Sequence, residues 1–252
     1  MKTLHAAIAL LLLMGQPAPP AFEVVTIKAS DPLARGGRSG WQPGGRYQGV
    51  NIPGVMLVQT AFGTNRRMLL GYQVVGAPAW LAAARYDVTG KVRSDLASVD
   101  PAELAVRGPR FLQSLLEDRF KLQVHHETRQ LQRYRLVLAR RDGTLGPQLK
   151  VSKCTRDDLC KLEYGPGRLV FEGVSIGRLA DDLCGYVSQV IADETGLTGR
   201  FDLNLEWSPD QVATDKPSMF TALQEQLGLK LEPEHGPVDV VVIDHIERPT
   251  ED

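Results

Sequence analysis

The chain has no charge bias, few metal-ligating residues and almost no long apolar runs. Its 29 Lys and Arg side chains stand against 30 Asp and Glu. That balance creates no global field to draw in nucleic acid or anionic lipid, so a partner must be recognised by a local surface. With 3 Cys and 5 His, no metal-ligand spacing is present. After the N-terminal segment no stretch reaches the about 20 apolar residues that a membrane span needs. Residues 15–21 hold no Cys, which excludes a lipid anchor there. The remaining composition, 43% hydrophobic and 23% charged, is that of a globular chain and excludes general disorder. At 252 residues it is long enough for one large domain or two small ones.

The first 21 residues have the organisation of an export leader. Lys2 and His5 make a basic start, and Ala6 to Met14 form an apolar run too short to cross a bilayer. Small residues and prolines from Gly15 to Ala21 follow, offering cleavage near Ala18 or Ala21. Export places the thiols in an oxidising compartment, where Cys154 and Cys160, in one polar loop, are expected to form a disulfide. Cys184 belongs elsewhere. Ile176, Leu179, Ala180, Leu183, Cys184 and Val187 fall on one helical face, and a Cys on such a stripe is a small core residue.

The residues after the leader read as one unit written twice, 22–145 and 146–252. Gly49-Val-Asn-Ile52 matches Gly173-Val-Ser-Ile176, and Ala84-Arg-Tyr-Asp-Val88 matches Gly199-Arg-Phe-Asp-Leu203. Phe111–Glu117 matches Met219–Glu225, and the apolar strand Tyr134–Ala139 matches Val238–Ile243. Each half reads strand, strand, helix, strand, strand, helix, strand, strand. Its helices are expected near 55–62, 110–119, 176–187 and 219–227, and each half closes with two separate strands. Pro109 and Pro217-Ser218 start helices, Phe220, Leu223 and Leu227 form a stripe, and Gly228 ends the last helix. Short links between these elements predict an α+β fold with an antiparallel or mixed sheet and helices packed on one face. Arg140 to Gly167, rich in Gly, Pro and charge, is expected to link the halves.

Several segments carry a resemblance. Phe22–Pro32, Gly76–Leu81 with Arg85–Val88, and Leu115–Leu122 resemble a family of uncharacterised exported proteins associated with soil bacteria, a domain of unknown function. Thr195–Asp202, Leu223–Leu231 and Val241–Pro249 resemble the same family. The resemblance implies that a similar domain accompanies membrane metallopeptidase receptors of the antibiotic-sensing type, which favours sensing or binding. It carries no catalytic residues. Met219–Ile246 is similar to the small N-terminal domains of secretins and TonB-dependent receptors, an analogy of fold fragment only.

Three groups of residues are candidates for chemistry. Gly173-Val-Ser-Ile-Gly177 matches a nucleophile elbow, with Asp202, Asp215, His235 and His245 downstream in hydrolase order. Against this, Ser175 corresponds in the repeat to Asn51, and Ser and Asn are both N-cap residues, so a cap explains the pair. His125 and His126 point to opposite faces of a strand and cannot share an ion. Asp244, His245 and Glu247 end the last strand, where His245 and Glu247 share a face. The segment Arg35–Tyr47 reads as a mobile surface loop whose Trp41 and Tyr47, with His125, are the candidate binding residues. Trp80 and Trp207 read as core.

Two functions therefore stand. One is an exported, non-enzymatic binding or sensor-like module for a periplasmic or cell-envelope protein or a small ligand. The other is a small secreted hydrolase using Ser175 or a site centred on His235 or His245. Neither implies a cofactor, a metal, nucleic acid, or a membrane span once the leader is removed.

Overall fold

The computed structural model describes residues 20–64, 67–155, 159–209, 215–250 and 252. All but the last two residues of the expected leader lie outside this set. In chain order come β1 (Val24–Ala29), β2 (Arg38–Gln42), β3 (Arg46–Pro53), α1 (Gly54–Ala61), β4 (Val74–Val75) and α2 (Ala79–Ala83). Then follow β5 (Arg85–Lys91), α3 (Pro101–Arg119), β6 (Gln123–Leu138), β7 (Leu149–Val151), β8 (Lys161–Gly165) and β9 (Arg168–Val174). The chain ends with α4 (Ile176–Val187), β10 (Ile191–Asp193), β11 (Phe201–Glu206), α5 (Met219–Ala222) and β12 (Leu229–His245). A turn of π-helix, Leu223–Leu227, joins the last two.

The chain forms two compact units, one from residues up to 68, 76–124 and 243–252, the other from 69–75 and 125–242. In the first, an antiparallel sheet has the order β1-β5-β3-β2. In the second, an antiparallel sheet has the order β7-β11-β9-β8. The two orders are the same: the last strand of each set lies between the first and the third. The second unit also holds a mixed sheet, β10-β6-β12-β4, in which β10 runs parallel to β6 and β4 parallel to β12. Side-chain bonds from Thr128 to Asp239, Arg133 to Glu234 and Arg135 to Glu232 step in opposite directions, so β6 and β12 are antiparallel. The fold is α+β, with antiparallel and mixed sheets. The compact units do not divide at the expected repeat boundary, 145/146, because β4 and β6 pair with β12.

The cores follow the sequence periodicity. In the first unit Ile27, Ile52, Leu57, Val88, Leu104, Phe111, Leu116 and Phe120 are buried. In the second, Ile176, Leu179, Leu183 and Cys184 of α4 pack with Leu169, Phe171, Leu205, Trp207 and Leu223. Each such aliphatic or aromatic side chain contributes about 1.5–3 kcal/mol.

Six expectations are corrected. Residues 38–42 form β2 and not a loop: Pro43-Gly44-Gly45 closes a hairpin that pairs Trp41 with Tyr47. Pro109 lies inside α3, which starts eight residues earlier, where Asp100 accepts from the Ala102 N–H at 2.7 Å as N-cap. The paired closing strands are single ones, β6 and β12, of 16 and 17 residues. Their polar middles read as turns, yet they are joined by the cross-strand ion pairs Arg133–Glu234 and Arg135–Glu232, each 2.6 Å. The expected link 140–167 holds the strand β8, which its Gly, Pro and charge do not announce. On the last helix the buried face is Met219, Ala222, Leu223 and Leu227, while Phe220 is exposed and meets Tyr134 edge-on at 5.6 Å. Trp207 is buried, but Trp80 is only half-buried and carries the Arg248 guanidinium 4.9 Å over its ring.

Candidate functional site

Each antiparallel sheet carries the same irregularity. Between β3 and β5, Ile52 pairs with Tyr86 and Gly49 with Val88, so two residues, Val50 and Asn51, face the single Asp87. Between β9 and β11, Val174 pairs with Phe201 and Phe171 with Leu203, so Glu172 and Gly173 face Asp202. In both bulges the second residue has left-handed backbone, φ +54° at Asn51 and +84° at Gly173. Asn and Gly are the residues that adopt this conformation at least cost. In both, that residue's N–H donates to the aspartate opposite, 2.8 Å to Asp87 Oδ1 and 2.9 Å to Asp202 Oδ1.

This register corrects the expected match by two residues. The counterpart of Asn51 is Gly173, and that of Ser175 is Pro53, the residue before α1. Asn51 is therefore no helix cap. Ser175 is one by its own geometry, since its Oγ accepts from the Arg178 N–H at 3.2 Å.

The two bulges differ in what covers them. In the second unit the Cys154–Cys160 disulfide, S–S 2.06 Å, lies against Gly173. A Cβ at position 173 would come 2.8 Å from Cys154 Sγ. The Arg200 guanidinium lies 4.0 Å from that sulfur. In the first unit the same place is taken by the Asn51 side chain, and beside it a cavity of about 470 Å³ is open.

Asn51 is 3% exposed. Its Nδ2 donates to the carbonyls of Ala34, at 3.2 Å, and Gly36. Two acceptor-only partners settle which end of the amide is nitrogen. The other end, Oδ1, is buried with no hydrogen-bond partner among the described residues. An orphaned buried acceptor costs about 1–3 kcal/mol. The cavity wall also holds Arg38 of β2 and Arg85 of β5, with Ile52, Pro53 and Met56 as its apolar side. Arg85 Nη1 donates to the Asn51 carbonyl at 3.1 Å. Among the described residues the Arg38 side chain has no hydrogen bond or ion pair, Arg85 has no ion pair, and no acidic side chain lines the cavity. Asp87 sits behind it, accepting also from Ser30 Oγ at 2.7 Å.

The residues singled out in the sequence lie elsewhere. Trp41 and Tyr47 line a smaller cavity of about 220 Å³ in the first unit. There Trp41 stacks on Phe22 at 5.8 Å and meets Phe111 edge-on at 5.5 Å. Burial pushes the Tyr47 phenol above its ordinary pKa, opposed by a bond from Ser39. His125 Nε2 is 2.9 Å from Glu127 Oε1, and that contact, followed by Arg129, holds the Glu127 carboxyl below its usual range. His245 pairs with Glu247 at 2.9 Å, and His235 Nδ1 lies 3.3 Å from Gln132 Nε2. No hydrogen bond among the described residues joins Ser175 to His235 or His245, and no cluster of three His, Cys, Asp or Glu could hold a metal. No described helix is long and apolar enough to cross a membrane.

The fold and this cavity define an α+β protein with one covered and one open bulge site. The chain belongs to the family described as protein of unknown function (DUF3738), which matches residues 55–246. Met56 and Arg85 fall within that span, while Arg38 and Asn51 precede it. No curated protein and no solved structure matches the chain.

Proposed function

We propose that the chain is an exported, non-enzymatic binding module whose ligand seats in the cavity beside Asn51. The observation that carries this reading is an open cavity of about 470 Å³ whose wall holds Arg38 and Arg85 and no acidic side chain among its lining residues. Arg38 and Arg85, which have no ion pair among the described residues, support the same reading. Export is supported by the leader-like N-terminus and by the disulfide, which belongs to oxidising compartments. The internal duplication is part of this reading, supported by the shared strand order and the shared aspartate-to-bulge bond. It implies one scaffold kept for support, under the disulfide, and one left open for binding. No observation favours the hydrolase reading, since Ser175 serves α4 as a cap.

The test is chemical-shift mapping of the isotope-labelled chain against a panel of small polar fragments. Binders are expected to move the amides of Gly36, Gly37 and Asn51. Shifts confined to residues 125–242, or none at all, would overturn the assignment.

A further inference from the structure

We infer that the Cys154–Cys160 bond is a site of thiol–disulfide exchange, opened by an exported dithiol, and more than a brace of the second unit. It lies in the other unit from the cavity beside Asn51 and does not depend on a ligand there. The two sulfurs have different surroundings. Cys160, the residue before β8, is exposed and open to an incoming thiolate. Cys154 is half-buried, and its Sγ lies 4.0 Å from the Arg200 guanidinium. The Ser152 N–H donates to the Arg200 carbonyl at 2.8 Å, and this pairing beyond the end of β7 brings Arg200 beside Cys154. Lys150, Glu172 and Asp202 share the neighbouring surface, and the Asp202 carboxylate accepts from the Gly173 N–H at 2.9 Å. A guanidinium in contact with a sulfur favours its thiolate, and the sulfur with the better-stabilised thiolate leaves faster. Accessible sulfur on one side and a stabilised leaving sulfur on the other are what exchange requires.

One thiolate of the dithiol attacks Cys160 Sγ. A mixed disulfide forms, the Cys154–Cys160 bond breaks, and its electron pair passes to Cys154 Sγ as a thiolate beside Arg200. The second thiol of the dithiol, losing its proton to solvent, then attacks the dithiol sulfur held in the mixed disulfide. Cys160 leaves as a thiolate and takes up a proton. The dithiol is oxidised to a disulfide and the chain is reduced to two thiols. Cys184 is buried in the core and takes no part. The fold outlasts the exchange for two reasons. The bridge joins residues only 6 apart in sequence, and short loops gain least from cross-linking. Neither of its cysteines belongs to the buried cluster that holds the second unit. Cys160 stays tied to β9, since its N–H donates to the Glu172 carbonyl at 2.9 Å. Cys154 is the half that withdraws, and its sulfur is the one lying against Gly173, so opening the bond uncovers the second bulge.

Reduction of the full chain by dithiothreitol tests the inference, read by alkylation and peptide mapping, with circular dichroism to follow the fold. The bond is expected to open no more slowly in native buffer than in urea, with an unchanged spectrum. Arg200→Gln is expected to slow opening at least about threefold, and Arg200→Lys to restore most of the rate. In Cys160→Ser, alkylation of Cys154 should persist to lower pH than in the same variant carrying Arg200→Gln, a difference that a purely structural arginine would not produce. Brief exposure to the monothiol cysteamine should leave the mixed disulfide on Cys160 and the free thiol on Cys154. Opening only in urea, or loss of the fold on opening, would reduce the bond to a brace and overturn the inference. Equal rates in the parent and a folded Arg200→Gln, or a mixed disulfide on Cys154, would overturn the directed exchange.

Discussion

Gly173→Ala tests whether the covered bulge is built as described. At φ +84° an alanine pays a conformational cost of about 1–2 kcal/mol. Its Cβ would also stand 2.8 Å from Cys154 Sγ and 2.9 Å from Cys154 Cβ. Those distances are too short for carbon against a bridged cysteine, and overpacking of this kind costs about 1–3 kcal/mol more. The sum, about 2–5 kcal/mol, is read from urea unfolding followed by tryptophan fluorescence, Trp207 being buried in the same unit. A second background separates the two contributions. With Cys154 and Cys160 both changed to Ala, the segment around 154 is free to withdraw, and Gly173→Ala should then cost only the conformational about 1–2 kcal/mol. A total below about 1 kcal/mol in the bridged protein would refute the left-handed bulge. An equal cost in both backgrounds would refute the contact with the disulfide.

Substitutions at two further positions probe other parts. Ser175→Ala should lower stability by about 0.5–2 kcal/mol, the usual value of an N-cap, whereas Ser175→Asn should keep most of it. A Ser175→Ala protein with unchanged unfolding would argue against the cap. Asp252 accepts from Arg119 at 2.9 Å and from the Ile27 N–H at 3.1 Å, and chiefly the arginine holds its carboxyl below the ordinary range. A lowered pKa in the folded state means that the contribution is present above the unfolded carboxyl's pKa and is lost as pH falls through the folded one. Melting temperatures of wild type and Asp252→Asn should therefore differ above about pH 5 and converge near about pH 2. A difference that persisted at the acid end would contradict the ion pair.

Much of the architecture was legible because local rules and tertiary packing agreed. α4 is one case: Ser175 caps it, and the stripe Ile176, Leu179, Leu183 and Cys184 is its buried face. The disulfide is another, since two cysteines in one short loop have few other partners. Elsewhere the local signal pointed the wrong way. Arg129–Arg133 and His235–Pro237 look like breaks between strands, but long-range partners hold β6 and β12 extended. Gly236 leaves room for the Arg133 guanidinium beside Glu234: a Cβ there would lie 2.2 Å from Arg133 Nε. Pro109 looked like a helix start, yet it is accommodated within α3 beside Gly108, the residue against which Trp41 packs.

The candidate site was the least legible part. The residue strings Gly49–Ile52 and Gly173–Ile176 set Asn51 opposite Ser175, which reads as a shared cap. The bulge moves the correspondence by two residues, and no local periodicity announces a bulge. The one sequence signal was chemical: Asn51 and Gly173 are both residue types suited to φ above zero.

Composition, periodicity and capping chemistry, which act over a few residues, were enough by themselves to determine the α+β class, most helices and the cysteine pairing. Which strands run on without a break, which bulge lies under the disulfide, and that Arg38, Arg85 and Asn51 meet at one cavity were decided only by the tertiary structure. Those outcomes depend on contacts between residues far apart in the chain. Their energies come from partners that no window of neighbouring residues contains.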